Sequence, residues 1–477
     1  MPATVVWFYN DLRVGDNEAL LAACRRGAVI GLYTWTPSEL GDRAPGAARR
    51  WWLHHALTSL AASLEPLGIP LVLRQAERAE VAVEDVLRET EADAVYWNKR
   101  YDPAVSERDR RIAASLRRRG IWVAEYDGWL LHDPASFRTE HGDAYRVFTP
   151  FWRRFTRHTP PPPRPRPTGY FRPRWHPNSD DLAAWRLLPH VPWDREFYPT
   201  WEPTEQGAER AIEQFVRLKL PAYARKRDFP ACEGTSRLSP YLATGQISPR
   251  QIWYRVSTAG TEKQFAEPFL RQLAWREFAY HVLESHPNLH EQPLRAEFRH
   301  FPWKDIAMSD LRRWQRGHTG IPIIDAGMRQ LWRTGWMHNR ARMIVASWLT
   351  KNLQGDWRIG EQWFWDTLVD ADPANNAFGW QWVAGCGADA APYWRVFQPL
   401  RQAKRFDPNG DYVRRWVPEL AQLPDQFVHE PWLAPPEVLQ RAGVKLDTTY
   451  PAPMLDPVES RRAALAAFAA FRRSNGQ

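Results

Sequence analysis

The run Val5-Val-Trp-Phe8 is the first of five short apolar segments that decide the fold of the first part of the chain. The other four are Ala28-Val-Ile-Gly-Leu-Tyr33, Pro70-Leu-Val-Leu73, Ala94-Val-Tyr-Trp97 and Ile121-Trp-Val-Ala124. Each has the length and the continuous apolar character of a strand that is buried on both faces of a sheet. Helical patterns, such as those of residues 47–67 and 107–119, separate the runs. The alternation predicts an α/β domain with a doubly wound parallel sheet over residues 1–130.

The rest of the chain divides into a connector and a helical region. Residues 131–204 lose the alternation, and Thr159-Pro-Pro-Pro-Pro-Arg-Pro-Arg-Pro-Thr168 cannot form a helix or an inner strand, because proline fixes φ and lacks an N–H donor. From residue 205 to residue 477 the pattern is helical almost throughout. We therefore predict an interdomain linker over 131–204 and an all-α domain over 205–477.

Composition narrows the class of protein. The 477 residues carry a net charge of +9, which favours a polyanionic partner such as nucleic acid. Three cysteines without a CxxC pair predict neither a disulfide framework nor a thiolate metal site, and the histidines near Pro287 do not share a helix face, so we expect no metal. The sequence shows no signal peptide and no membrane-spanning run, so we expect a cytoplasmic protein without a membrane partner.

Tryptophan is concentrated among polar residues in one part of the helical region. The chain holds 27 tryptophans, and between Trp336 and Arg395 they alternate with Asn, Asp and Arg. A packed helical core does not need these polar neighbours. The stretch ends with the segment from Asp389 to Arg395, which includes Tyr393. The pattern indicates a site for redox chemistry.

Two groups of residues look able to hold a dinucleotide cofactor. Gly234-Thr-Ser-Arg-Leu-Ser239 precedes a helical run, and Tyr223 with its basic neighbours lies upstream. Hydroxyl and backbone N–H groups at a helix start bind phosphate, although such residues also serve as simple helix caps. Arg342, Asp370, Asp372 and Asn375 form the second group, which suits the ring nitrogens and carbonyls of a flavin. A buried ion-pair network is the alternative interpretation of that group.

Arginines and aromatic residues are interleaved in the same region. Arg227, Arg276, Arg340, Arg342 and Arg395 occur together with Trp275 and Trp382. Basic groups contact phosphates and aromatic rings stack on unpaired bases, which is typical of single-strand or flipped-base binding. A solvated basic face would explain the arginines but not the aromatic residues.

These motifs, taken in order, resemble the DNA photolyase and cryptochrome family along nearly the whole chain. The opening segment Val5–Arg13 with Asp16-Asn17 is similar to that family's first strand and loop. Further matches are Glu233–Ser239, Trp275-Arg-Glu-Phe278, Thr319-Gly-Ile-Pro-Ile-Ile-Asp-Ala-Gly327, Trp336-Met-His-Asn-Arg340 and Asn375–Trp382.

The resemblance implies an FAD in the helical domain. The residues that would bind it are Tyr223, Thr235, Ser236, Arg237, Leu238, Ser239, Arg342, Asp370, Ala371, Asp372 and Asn375. Asn375 falls where the family places the residue that faces flavin N5. Trp380, Trp357 and Trp303 fall at the stations of the electron-transfer chain that photoreduces FAD, with a one-residue shift at Trp303.

The resemblance also implies a DNA face. The residues proposed for it are Arg227, Gln272, Trp275, Arg276, Asn339, Arg340, Met343, Trp382 and Arg395. Trp275 and Trp382 would clamp the lesion. Asn339 and Met343 place the chain in the branch that repairs cyclobutane pyrimidine dimers, because the (6-4) branch carries histidines there. Gln272 departs from the family, whose dimer photolyases usually present a glutamate.

The expected function is that of a deoxyribodipyrimidine photo-lyase, a light-driven flavoprotein that repairs UV-damaged DNA as a monomer. Asn98–Pro103 with Ser106-Glu107 matches folate-binding patterns only loosely, so a second antenna chromophore, folate or deazaflavin, stays open. The first rival is a cryptochrome-like blue-light photoreceptor without efficient repair, which Gln272 favours. The second is a basic DNA-binding protein with structural tryptophans and no flavin.

Overall fold

The computed structural model describes residues 3–175, 177–390 and 394–474. The sheet lies at the start of the chain and has the strand order β3-β2-β1-β4-β5. Every pair of neighbouring strands is parallel. The strands are β1 Ala3–Phe8, β2 Ala28–Trp35, β3 Leu71–Gln75, β4 Ala94–Asn98 and β5 Trp122–Tyr126. The predicted doubly wound parallel sheet is confirmed.

Helices cover both faces of this sheet. They are α1 Glu18–Arg26, α3 Ala47–Leu64, α4 Ala79–Thr90 and α5 Pro103–Arg118, while the short α2 Pro37–Leu40 buries no residue. Along β1, Val5 and Trp7 face one hydrophobic core while Val6 and Phe8 face another. Because successive side chains of a strand point to opposite faces, a strand between two cores must be apolar at every position. This is why the buried strands appear in the sequence as unbroken apolar runs.

The connector covers the β3 edge of the sheet. The backbone N–H groups of Leu73 and Gln75 donate to Ser179 Oγ at 3.0 Å and to Asp180 Oδ2 at 2.6 Å. An uncovered strand edge invites pairing with another chain, so these bonds protect the sheet. The connector also contains α6 Phe148–Phe155 and α7 Phe197–Thr200. The sequence did not predict these two helices.

The remainder of the described chain is helical, which confirms the predicted all-α domain. Its helices are α8 Glu205–Gln214, α9 Tyr223–Lys226, α10 Ser239–Thr244, α11 Pro249–Ser257, α12 Lys263–Ser285, α13 Met308–Arg316, α14 Pro322–Thr334, α15 Asn339–Ser347, α16 Trp357–Thr367, α17 Pro373–Ala384, α18 Pro399–Phe406, α19 Asp411–Trp416, α20 Pro436–Arg441 and α21 Pro457–Ser474. Among the residues that the structure describes, none of the helices combines the length and the apolar character needed to traverse a bilayer.

A buried arginine in the loop after β1 joins the two domains. Arg13 is 1 % exposed, and its guanidinium donates to the backbone oxygens of Gly245, Asp16 and Gly128, each at 2.9 Å. Burial lowers the pKa of Arg13, while the carboxylate of Asp16 opposes this shift. The three acceptors lie in the loop after β1, in the segment that follows β5 and in the helical domain, so one charged group ties all three segments together.

Replacing Arg13 tests how strongly the contact between the two domains depends on this residue. Arg13→Met leaves three buried carbonyl groups without their donor, and a hydrogen bond to a charged group contributes about 1.5–3 kcal/mol. We expect the free energy of unfolding, measured in urea by circular dichroism, to fall by at least about 3 kcal/mol. Arg110→Met is the matched control, because Arg110 forms only an exposed ion pair with Glu107 and should change the value by less than about 1 kcal/mol. Equal losses in the two variants would contradict this account.

Candidate functional site

The predicted phosphate-binding segment forms a turn that leads into α10. Arg237 has φ of 54°, in the left-handed region, and α10 starts at Ser239 without any side-chain hydrogen bond at its N-terminus. The hydroxyl of Ser236 accepts a weak bond from Leu238 N at 3.4 Å. The segment is therefore not a simple helix cap, and its hydroxyl groups suit an external ligand.

Trp336 connects this segment to the second predicted group. Its ring nitrogen donates to Ser239 Oγ at 3.3 Å, and the Arg237 guanidinium lies 5.2 Å from its ring centre. On the other side, the Arg342 guanidinium lies 6.0 Å from the same ring and donates to both oxygens of Asp370 at 3.0 and 2.8 Å. The structure thus brings residues from three separate parts of the sequence into one site.

Asp372 is the most heavily bonded carboxylate of the site. It caps α17, and its Oδ1 accepts bonds from Ala374 N at 3.1 Å, from Asn375 N at 2.8 Å and from Asn375 Nδ2 at 2.8 Å. Its Oδ2 accepts the hydroxyl of Tyr280 at 2.5 Å. The sequence identified Asp372, its buried neighbour Ala371 and Asn375, but it gave no signal for Tyr280.

Asn376 is a second asparagine in this site that the sequence reasoning passed over. Its amide donates to the backbone oxygen and to Oε1 of Glu361 at 2.9 and 2.8 Å, and it is 9 % exposed. It lies one helical turn before Trp380, so the two side chains share a face of α17. Asn375 stays the predicted neighbour of flavin N5, and Asn376 becomes a second candidate because it shares the face of the proposed electron carrier. The spacing of four residues between Asn376 and Trp380 is the feature of the sequence that could have identified Asn376.

The three predicted electron-transfer tryptophans lie around the start of α16. Trp357 and Trp380 are 1 % and 2 % exposed and belong to one hydrophobic core, against which Trp303 packs. The ring of Trp380 lies against Gly360, one turn after Trp357, where a methyl group would be 2.0 Å from the ring. Lys304, next to Trp303, donates its backbone N–H to Gln354 at 2.8 Å. The structure therefore brings all three segments together.

The predicted lesion face contains a stacked aromatic pair. Trp275 is partly exposed on α12 and lies flat against Phe148 of α6, with ring centres 3.7 Å apart and an interplanar angle of 7°. Gln272 lies one turn earlier on the same helix and is also partly exposed. Trp382 is held by a bond from its ring nitrogen to the Asp389 backbone oxygen at 3.2 Å. Phe148 was not found from the sequence, because only the fold brings α6 to α12.

The other predicted DNA contacts lie on or near α15. Asn339 Nδ2 and Met343 Sδ are 3.9 Å apart. Arg340 pairs with Asp228 at 2.8 Å and is partly buried, whereas Arg395 is exposed. Arg227 is partly exposed, with its guanidinium 5.3 Å from the ring centre of Tyr223. Residues 391–393, which include the predicted Tyr393, lie outside the described residues.

Arg276 does not lie on the DNA face. It is 8 % exposed, and its guanidinium donates to the Trp129 backbone oxygen and to Glu277, both at 3.2 Å. Trp129, in the segment after β5, covers this side of α12, so the expectation that Arg276 lines a DNA groove is corrected. The burial of Glu277, partly offset by Arg276, raises the pKa of its carboxyl to about 7.

A small cavity lies between the domains, where β1 and β4 end. Its lining consists of Tyr9, Asn10, Asp11, Asn98, Lys99, Arg100, Tyr101, Asp102, Trp129, Tyr280 and Pro373, and its volume is about 20 Å³. Ligands of doubly wound domains bind at this edge of the sheet. However, the ring system of a folate or a deazaflavin does not fit a cavity of this size. The identity and the place of an antenna chromophore therefore stay open.

Comparison with known proteins identifies the family of the chain. Residues 4–168 match the family model for DNA photolyase, and residues 269–470 match that for the FAD binding domain of DNA photolyase. The deoxyribodipyrimidine photo-lyase of Agrobacterium fabrum is 46% identical, with 98% of each chain covered. Cryptochrome-1 of Arabidopsis thaliana is 36% identical, with 96% of this chain and 69% of the relative covered.

Solved structures agree with these matches. A class III photolyase from Agrobacterium tumefaciens superposes with a TM-score of 0.95 at 46% identity, covering 99% of this chain and 98% of that one. An archaeal photolyase from Sulfolobus tokodaii, solved with two FAD molecules, has a TM-score of 0.82 at 28% identity, covering 98% and 100%. The two FAD molecules of that protein imply a novel light-harvesting cofactor there. The resemblance seen in the sequence motifs is confirmed, and the chain belongs to the DNA photolyase and cryptochrome family, with FAD as the cofactor of its helical domain.

Proposed function

We propose that this protein is a deoxyribodipyrimidine photo-lyase that uses light absorbed by reduced FAD to split cyclobutane pyrimidine dimers in DNA. One observation carries the proposal: α15 and α17 each hold residues of both the flavin group and the lesion group. On α15, Arg342 pairs with Asp370, while Asn339 and Met343 contact each other one turn apart. On α17, Asn375 bonds to Asp372 and Trp382 lies two turns later. Flavin and lesion would then both contact the same two helices, which suits a short electron transfer.

The residues of the site fit an FAD by their chemistry. Tyr223 with residues 235–239 offers hydroxyl and basic groups for the phosphates. Arg342, Asp370, Ala371, Asp372 and Asn375 offer charged, backbone and amide partners for the flavin. When bound, FAD supplies the one-electron chemistry. The protein residues bind and orient the cofactor, and the buried tryptophans Trp380 and Trp357 exclude water beside it.

The DNA face supports binding of a base that has left the helix. One face of Trp275 is covered by Phe148, which fixes the ring and leaves its other face for a base. Arg227, Arg340 and Arg395 are proposed contacts to phosphates. Since UV-damaged DNA is a polyanion, the net charge of +9 favours its approach.

A blue-light photoreceptor is the alternative, because a plant cryptochrome matches almost the whole chain. It would share every flavin residue and differ only at the DNA face. Gln272 is the residue that favours it. The third interpretation, a DNA-binding protein without flavin, is wrong, since the chain has an FAD-binding domain. A monomeric state and a cytoplasmic location stay predictions.

The electron path is tested by removing its middle station. Trp357→Phe should slow photoreduction of the oxidised flavin strongly, because phenylalanine is much harder to oxidise than tryptophan. Repair by chemically pre-reduced protein should change little. Trp348→Phe is the matched control, since Trp348 is 0 % exposed in the same core and lies outside the proposed path. Flavin absorbance under illumination measures the rate, and normal photoreduction in Trp357→Phe would rule out the path.

DNA binding is tested by separating stacking from charge. Trp275→Ala removes a stacking surface that contributes about 1–3 kcal/mol per base, so the preference for dimer-containing over undamaged oligonucleotide should fall. Arg340→Gln should instead lower the slope of log affinity against log salt by about 0.9 if it removes one phosphate contact. Trp122→Ala, at an exposed position on β5, should change neither quantity. Unchanged lesion preference in Trp275→Ala would favour the photoreceptor.

Illumination of the reduced protein with a dimer-containing oligonucleotide tests the proposed function itself. The Gln272 amide can donate one hydrogen bond to a thymine carbonyl, worth about 0.5–1.5 kcal/mol, so binding should survive. A neutral amide polarises a radical anion less than an acidic group does. We therefore expect measurable but inefficient repair that Gln272→Glu improves.

The control for this substitution lies on the same helix. Gln264→Glu, at the exposed start of α12, introduces the same charge away from the lesion face and should leave repair unchanged. Repair that Gln272→Glu weakens would show a pocket built around the amide. If neither the native protein nor Gln272→Glu splits dimers, the function is light sensing.

A further inference from the structure

Tyr280 connects two parts of the protein that the sequence motifs treat separately. It lies on α12, is 1 % exposed, and its hydroxyl donates to Asp372 Oδ2 at 2.5 Å. The same side chain forms part of the wall of the interdomain cavity. The hydrogen bond is short for a hydroxyl and a carboxylate, which is typical of a charge-assisted bond. Tyr280 therefore has contact with a carboxylate of the cofactor site on one side and with the cavity on the other.

The cavity is suited to hold water next to this tyrosine. Its volume of about 20 Å³ exceeds the roughly 10–15 Å³ that one water molecule needs. Its rim includes the partly exposed Lys99, Tyr101 and Asp102, and its floor includes the buried Asp11. These residues supply several hydrogen-bonding groups for a water. The rim also gives solvent protons access to the interior.

The charges around Tyr280 keep its hydroxyl protonated. Burial raises its pKa well above the ordinary value, and the negative charge of Asp372 raises it further. Arg276, whose guanidinium lies 5.2 Å from the ring centre, opposes this shift. Arg49, which is buried, also interacts electrostatically with both Asp372 and Tyr280, and Lys99 and Arg100 line the cavity. The phenol thus donates to the carboxylate and does not act as a phenolate.

We propose that the Tyr280 hydroxyl relays protons from the interdomain cavity to Asp372. A water in the cavity gives a proton to the Tyr280 oxygen while the original hydroxyl proton moves to Asp372 Oδ2. One O–H bond forms and one breaks at the tyrosine, no electrons move, and solvent reprotonates the water through the rim. The relay rests on the proposed function in one respect: reduction of the bound flavin creates the need for a proton.

The test measures proton uptake separately from electron transfer. The FAD-loaded protein is photoreduced without DNA in weakly buffered solution, with a pH-indicator dye for the proton and flavin absorbance for the electron. Tyr280→Phe removes the hydroxyl but keeps the ring against Trp129 and Tyr101. General acid–base groups contribute about a hundredfold or more to proton transfer, and we expect uptake to slow by about that factor. The rate of electron arrival should change far less.

The matched control is Tyr450→Phe. Tyr450 is 1 % exposed and donates its hydroxyl to Oδ2 of the buried Asp325 at 2.7 Å, but it lies outside the cavity lining given above. It should leave proton uptake unchanged. Tyr280→3-fluorotyrosine keeps the hydroxyl and makes it more acidic. Proton uptake should therefore stay much faster than in Tyr280→Phe, but its rate should differ from that of the native protein. This second variant keeps the test decisive if Tyr280→Phe does not fold.

The outcomes separate the relay from the proposed repair function. Proton uptake at the native rate in Tyr280→Phe, or equal slowing in Tyr450→Phe, would overturn the relay. The relay would also be overturned if fluorination left the rate of proton uptake unchanged or if the native protein took up no proton. None of these results depends on dimer repair, which uses a different substrate and readout. Slow uptake restricted to Tyr280→Phe would support the relay even if the protein proved to be a photoreceptor.

Discussion

The structure depends on one buried cation, the guanidinium of Arg13, whose three carbonyl acceptors belong to three different segments. A buried charge without partners costs several kcal/mol. Separating the segments would either expose the guanidinium to solvent or leave it buried without its acceptors. Nearby, Glu205 of α8 accepts the backbone N–H groups of Val14 and Gly15 at 3.1 and 2.9 Å. The loop after β1 is therefore fixed against the helical domain from both directions. This docking lines the cavity at the carboxyl edge of the sheet with residues of both domains, Tyr280 among them.

In the proposed function, the geometry of single helices brings the two ligands, flavin and lesion, close together. Residues three or four positions apart share a helix face, while residues one apart diverge by about 100°. On α15 this places Arg342 toward Asp370, and Asn339 and Met343 side by side one turn apart. In the proposed function, two packed helices therefore set the separation of flavin and lesion, and packed helices deform less than loops. A change in the core between α15 and α17 would thus alter both binding faces at once.

The parts of this architecture that the sequence predicted are those that rest on local patterns. The apolar runs identified all five strands, and the ordered motifs identified the segments that meet at Trp336. The parts that were missed depend on contacts between distant residues. Tyr280 and Asp372 are 92 positions apart, and only folding brings Trp129 over Arg276. Local spacing shows which residues share an element, but it cannot show which element will cover them.

Charge compensation explains why this cluster of carboxylates can exist in the interior. Asp370 is paired with a guanidinium, Asp372 accepts bonds from amides and a phenol, and Glu361 is held by Arg43 at 3.2 Å and by Asn376. Each carboxylate thus has its own set of donors, because an uncompensated buried charge would shift its pKa and be lost. The fold therefore keeps three carboxylates beside the cofactor site only as a set with their donors, and losing one donor, such as Arg342 for Asp370, would leave a buried charge uncompensated.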